Sequence, residues 1–161
     1  MLHLREDALT AYLVAEQARF YRLAYSYLKN QEDALDAVQS AVCRALERQG
    51  SLRDSTALRP WFYQILVNVC LDILRWRGRT APLEDWQDPG EEDPAPPDDS
   101  LARKVEALPP EIGTVIRLRF YEELSLKEIS AATGTNLSTV KSRLYAGLRK
   151  LRIAMEGAEN E

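Results

Sequence analysis

The stretch PLEDWQDPGEEDPAPPDDS, from Pro82 to Ser100, decides most of what this chain can fold into. It sets four further prolines after Pro82 among eight acidic side chains, with no basic residue and few apolar ones. Proline interrupts helices and sheet ladders. So little apolar surface, under so much like charge, cannot offset the entropy of ordering the segment. Residues 80–100 therefore read as a flexible acidic linker. They divide the 161 residues into two modules, 1–79 and 101–156, each large enough for one modest core.

Charge follows the same division. The formal net charge of −4 hides residues 1–80 with 11 basic and 9 acidic side chains, and residues 101–155 with 10 and 5. Two basic-leaning modules thus flank one acidic tether. About 20 extended residues reach at most roughly 65 Å. At about 3.4 Å per base pair, that would let the modules touch DNA sites nearly two helical turns apart.

Several function classes are excluded or disfavoured. No apolar run approaches the roughly 18–20 residues of a membrane span. The start, MLHLREDALTAYL, lacks the basic, apolar and small-residue succession of a signal peptide, so the chain is expected in the cytoplasm without direct membrane binding. Cys43 and Cys70 sit in apolar helical patterns and read as two buried hydrophobes rather than a redox pair. There is one histidine, His3, no Cys/His cluster and no glycine-rich phosphate loop. No metal, cofactor, small-molecule substrate or catalysis is expected.

The first module reads as three or four helices. Phe20, Leu23, Ala24, Tyr27 and Leu28 follow the spacing of one apolar helix face. Asn30 can cap a second helix carrying Ala34, Val38, Ala41, Val42, Ala45 and Leu46 and ending near Gly50. A loop, SLRDSTALRP, precedes a third helix expected from Pro60 to Gly78. Its rows Trp61, Ile65, Val69, Ile73 and Phe62, Leu66, Cys70, Leu74 are mostly core. Tyr63, Asn68, Asp72, Arg75 and Arg77 interrupt them, and aromatics beside cations also suit a single strand whose bases stack.

The second module is sharper. A helix entered through Pro109–Pro110 is expected to end near Glu122–Glu123. Ser125 and Glu128 then have capping-box spacing, with Leu126, Ile129 and Ala132 facing inward and Gly134 allowing a turn. Asn136 can cap a last helix whose apolar side chains are Leu137, Val140, Leu144, Leu148 and Leu151. This is the logic of a helix–turn–helix. From Gly134 to Arg152 there are five basic residues and no acidic one. The outward positions Ser138, Thr139, Lys141, Ser142, Arg143 and Tyr145 suit a helix entering a major groove, with Arg149, Lys150 and Arg152 further along toward phosphates.

Three stretches resemble, in order, the extracytoplasmic-function (ECF) branch of bacterial RNA polymerase sigma factors. DALDAVQSAVCRAL, Asp33 to Leu46, resembles the region that docks on the polymerase clamp; LRPWFYQILVNVCLDILRWRGR, from Leu58, resembles the regions that open and read the −10 element; LSLKEISAATGTNLSTVKSRLYAGLRKLR, from Leu124, resembles region 4. The resemblance implies an all-α protein of two small helical domains. It implies core polymerase contacts, through the β′ clamp, at Asp33, Asp36, Val38 and Gln39, and a contact of region 4 with the β flap. It implies −10 contacts at Arg53, Asp54, Ser55, Trp61, Tyr63, Asn68, Arg75 and Arg77. It implies −35 contacts at Ser138, Thr139, Lys141, Ser142, Arg143, Tyr145 and Arg149. An anti-sigma factor, often membrane-anchored in the family, is implied as a further partner. Asp72 departs from the amide or basic residue frequent there, and Ala146 and Gly147 stand where basic residues are frequent.

Two other readings stay open at this point. A polymerase-independent helix–turn–helix regulator would bind duplex DNA tightly alone and would need a ligand pocket or dimer face in its first module. A protein-interaction adaptor has no use for the basic last helix.

Overall fold

The computed structural model describes residues 2–52, 54–80 and 100–159, and among them are eight α-helices and no strand. The acidic linker, apart from its end residues Thr80 and Ser100, lies outside the described residues. The chain divides into two compact units, within Met1–Asp93 and Pro94–Glu161.

In the first unit, α1 (Leu2–Ala15) gives way at Glu16 to α2 (Gln17–Leu28). The apolar spacing from Phe20 predicts α2 but not α1, which adds the buried Leu9 and Leu13 to the core. The five residues of the α2 stripe are all buried. Helix α2 closes with Lys29 in the left-handed region, φ 57°, its N–H bonded to the Tyr25 carbonyl. Asn30 caps α3 (Gln31–Glu47) as expected, its Oδ1 accepting the Asp33 N–H at 3.0 Å.

The inward face of α3 is the predicted one only at its alanines. Ala34, Ala37, Ala41 and Ala45 are buried, whereas Val38 and Val42 are only half-buried and Leu46 is exposed. The reason is room. Helix α3 packs on both α2 and α4 (Leu58–Thr80), whose inner faces carry large rings, and methyl-sized side chains let the three backbones close on them. Cys43 lies off that alanine stripe and is exposed, so of the two cysteines only Cys70 is buried.

Helix α3 stops at Glu47, before Gly50, and a 3-10 turn follows at Gln49–Ser51. Helix α4 begins at Leu58 rather than Pro60, leaving the proline in the first turn where no N–H is needed. It also runs through Gly78 to Thr80. Phe20 and Phe62 meet at 4.5 Å between ring centroids, with Tyr12 edge-on to both at 5.5 and 6.2 Å.

In the second unit, α5 (Ser100–Glu106) is a short helix the sequence pattern does not announce; Val105 and Leu108 carry it into the core. Helix α6 (Pro110–Ile116) starts at the proline pair as expected, then widens into a π-helical turn at Arg117–Tyr121 instead of continuing. Arg117 and Glu122 are both buried there. Gly113 makes room for the cation: a Cβ at that position would lie 2.8 Å from Arg117 Nη1.

Helix α7 (Leu126–Thr133) has the full capping box, with Glu128 N–H donating to Ser125 Oγ and Ser125 N–H to Glu128 Oε1. Gly134 turns the chain at φ 68°. Asn136 Oδ1 then accepts the Thr139 N–H at 2.8 Å and opens α8 (Leu137–Glu159). The buried row of α8 is Val140, Leu144, Gly147 and Leu151, while Leu148 is exposed. A Cβ at Gly147 would sit 2.8 Å from Ile116 Cδ1, so α8 crosses α6 at this residue. Gly147 therefore faces inward and is no lost cationic contact.

Candidate nucleic-acid interfaces

Between the end of α3, the following 3-10 turn and α4 runs an open groove of about 430 Å³. Trp61, Gln64, Asn68 and Arg75 reach it from α4, and Arg44, Arg48 and Ser51 from the other wall. Trp61 is held at its rim: its Nε1–H donates to Ser51 Oγ at 3.2 Å, and that hydroxyl donates to the Arg48 carbonyl at 2.7 Å. The indole is thus fixed in a groove that three guanidinium groups, two amides and the Asp72 carboxylate also line. Such a groove can stack an unpaired base, meet its edge with amides and bind its phosphates. Arg44, Arg48, Gln64 and Ser51 are not among the residues singled out from the sequence. The four-residue spacing of Arg44, in the last turn of α3, and Arg48, the residue that closes it, is the signal that marks them.

Two of the expected −10 residues are placed elsewhere. Tyr63 is 1% exposed and packs edge-on against Phe20, 5.8 Å between centroids, so it supports the core and cannot stack a base. Trp61, two positions earlier on the same helix, faces another direction and lines the groove. Arg77 turns back on its own unit, donating from Nη1 to the Leu28 carbonyl at 2.9 Å and from Nη2 to the Asp33 carboxylate. That pair joins the end of α4 to the start of α3. Asp33 is thereby committed to the fold on one side, while Asp36 and Gln39 are exposed on α3 and Val38 is half-buried. Asp54 accepts the Thr56 N–H at 3.0 Å and shapes the 3-10 turn Ser55–Ala57 that leads into α4. Arg53 and the Ser55 side chain lie outside the described residues.

On α8, Ser138, Lys141, Ser142, Tyr145, Arg149, Lys150 and Arg152 are exposed and Thr139 is half-buried. Capping by Asn136 orients the first turn, where Ser138 and Thr139 stand. Arg143 is drawn aside: its Nη2 lies 3.7 Å from Glu111 Oε2 on α6. Nearby, burial pushes the Tyr121 phenol above its usual value, with the Arg117 guanidinium pulling the other way. Among the described residues no group of three His, Cys, Asp or Glu side chains could hold a metal. No described helix is long and apolar enough to cross a membrane.

Residues 13–80 match the family model described as Sigma-70 region 2, and residues 98–151 the one described as Sigma-70, region 4. The RNA polymerase sigma factor SigV of Bacillus subtilis is 41% identical over 140 residues, covering 84% of either chain. The chain belongs to the ECF sigma factors. A second relative, ECF RNA polymerase sigma factor SigE of Mycolicibacterium smegmatis, is 37% identical over 152 residues, which cover 87% of this sigma factor and 59% of the relative. The fold is shared with the sigma factor RpoE of Bartonella quintana, solved in complex with the anti-sigma factor NepR: TM-score 0.75, 21% identity, 91% of this chain and 96% of that one. CnrH, solved with the cytosolic domain of CnrY, aligns with TM-score 0.73 at 22% identity, covering 94% and 90%.

Proposed function

We propose that this sigma factor acts as a promoter-specificity subunit with no catalysis of its own. It joins core RNA polymerase through the exposed face of α3 around Asp36 and Gln39. The α3–α4 groove takes the non-template strand of an opened −10 element, and the first turns of α8 read the −35 element in the major groove. The observation that carries this reading is the groove itself, where a pinned indole, two amides and three arginines converge, beside the exposed Asp36 and Gln39 of α3. Ser138, Lys141 and Ser142 stand where short hydroxyls and a cation approach base edges, and Arg149 where a phosphate contact is expected.

The complex of one relative in fold with an anti-sigma factor, and of another with the cytosolic domain of CnrY, supports a partner of the first kind here. Exposed Leu35 and Leu46 on α3 offer it apolar contact on the polymerase-facing side, so that one partner would exclude the other. A cytoplasmic site of action follows from work on polymerase and DNA. The reading as an independent regulator is not favoured, because the likeness to sigma factors runs through both units and over 84% of the chain.

The test is co-elution of the purified chain with bacterial core RNA polymerase. A stable complex is expected, and substituting Asp36 and Gln39 together with alanine should abolish it while leaving the helical circular dichroism unchanged. No complex with the wild-type chain, with tight duplex binding by the chain alone, would overturn the proposal.

A further inference from the structure

One residue of the groove has the wrong sign for its surroundings. Asp72 lines the same wall as Asn68 and Arg75, where a carboxylate repels the phosphates of any strand that enters. Its Oδ1 accepts from Arg75 Nη1 at 2.9 Å, one turn along α4. Its Oδ2 lies 3.9 Å from Arg44 Nη1, across the groove on α3. A single carboxylate thus engages two of the three arginines that could bind a strand. The side chains of Arg44, Asp72 and Arg75 are 39%, 53% and 66% exposed, so these pairs sit in water and exchange readily with other ions. Exposed pairs of this kind add little to folding stability, and a structural role does not account for the residue.

We infer that Asp72 is a specificity-determining residue, an internal carboxylate that occupies Arg44 and Arg75 until a strand phosphate replaces it. The inference rests on the groove being the site of an unpaired strand. With Asp72 present, phosphate entry is an exchange of one anion for another rather than a simple gain of ion pairs. Charge alone then holds a strand weakly. Base-dependent contacts, stacking on Trp61 and hydrogen bonds from Gln64 and Asn68, must supply the difference, and strands that lack them are released. Asp72 weakens all strands by the same factor through the phosphate, so the ratios between strands stay as the bases set them. Strands held by charge alone then fall below the affinity needed for capture at a limiting holoenzyme concentration.

The experiment uses holoenzyme assembled from the full chain and core RNA polymerase, wild type against Asp72→Asn. The probe is a fork-junction DNA pool in which the unpaired non-template nucleotides are randomised; affinity is read across a salt series and captured strands are sequenced. The Asp72→Asn holoenzyme should bind the pool about two- to fivefold tighter at roughly 0.1 M salt. Its log K against log salt should steepen by about 0.7, one extra single-strand phosphate contact. For the capture, holoenzyme is held between the two variants' Kd values for the weaker strands of the pool. The captured sequences should then be less biased than those of wild type, because the tighter variant retains strands that the wild type releases. In an Arg44→Gln, Arg75→Gln background the Asp72→Asn gain should vanish. Equal or weaker binding, an unchanged salt slope, undiminished sequence bias, or a gain that survives loss of both arginines would each overturn the inference. Wild-type holoenzyme that forms but ignores unpaired strands would instead bring down the groove reading, and this inference with it.

Discussion

The two units solve the problem of a small core in opposite ways. The first fills its interior with rings, Phe20, Phe62, Tyr63 and the edge of Tyr12, and brings helices close around them with an alanine face on α3. The second has no such ring cluster among its buried residues. It closes α6 on α8 at Gly147 and admits a buried Arg117 and Glu122 at a widened helical turn. The difference has a functional side. A ring-filled core fixes the backbones of α3 and α4 and so the width of the groove between them. The second unit offers a single helix to DNA, and needs above all that α8 start at the right residue, which the caps at Ser125 and Asn136 ensure.

This contrast breaks most sharply at Phe62. Replacing Phe62 with alanine should cost the first unit about 3–5 kcal/mol and leave the second untouched. Amide signals of the two units, followed separately by nuclear magnetic resonance through a thermal melt, would check it. Joint melting would mean that the units are coupled.

A pair of glycines sharpens it further. Gly147→Ala puts a methyl against Ile116 and Ile112, with separations of 2.8 and 2.9 Å, and should destabilise the second unit by about 1–3 kcal/mol despite alanine's better helix propensity. Gly78→Ala meets nothing within 4 Å and should stabilise the first unit by up to about 1 kcal/mol. Urea midpoints of the two variants, moving in opposite directions, are the readout.

The smallest effect concerns pH. The Tyr121 phenol ionises above its ordinary value because burial favours the neutral form. Its contribution to stability is therefore complete below about pH 10 and lost as pH rises through the higher folded value. The side chain is only partly covered, which keeps the effect small. Tyr121→Phe should flatten the fall in urea midpoint between about pH 9 and 11; an unchanged fall would assign it to other groups.

Local signals in the sequence proved the most legible. The caps at Asn30, Ser125 and Asn136 are read from one residue and its neighbours three positions on, and each forms as expected. The stripe of α2 is equally clear. What periodicity could not separate was core from surface on α4, a helix with apolar side chains on most sides. Tyr63 carries the same chemistry as a base-stacking ring, and only the position of Phe20 from another helix assigns it to the core. Arg77 and Arg143 likewise look like phosphate contacts until Asp33 and Glu111, distant in sequence, come beside them. The α3 face shifted for a related reason: hydrophobicity favours Val38 and Val42, but the space between α2 and α4 favours alanine. The π-helical turn after α6 leaves no trace that helical spacing alone would show.

The tie between Arg77, the Leu28 carbonyl and Asp33 also has a mechanical consequence. A pull exerted through the residues after Thr80 enters the first unit at the last turn of α4. It meets the Arg77 anchor before it reaches Asn68 or Trp61. Load of this kind is shared with α2 and α3 at their junction instead of prying α4 from its neighbours. On the proposed reading of the groove, a strand lying there would be shielded from tension applied at the other end of the chain by the Arg77 tie.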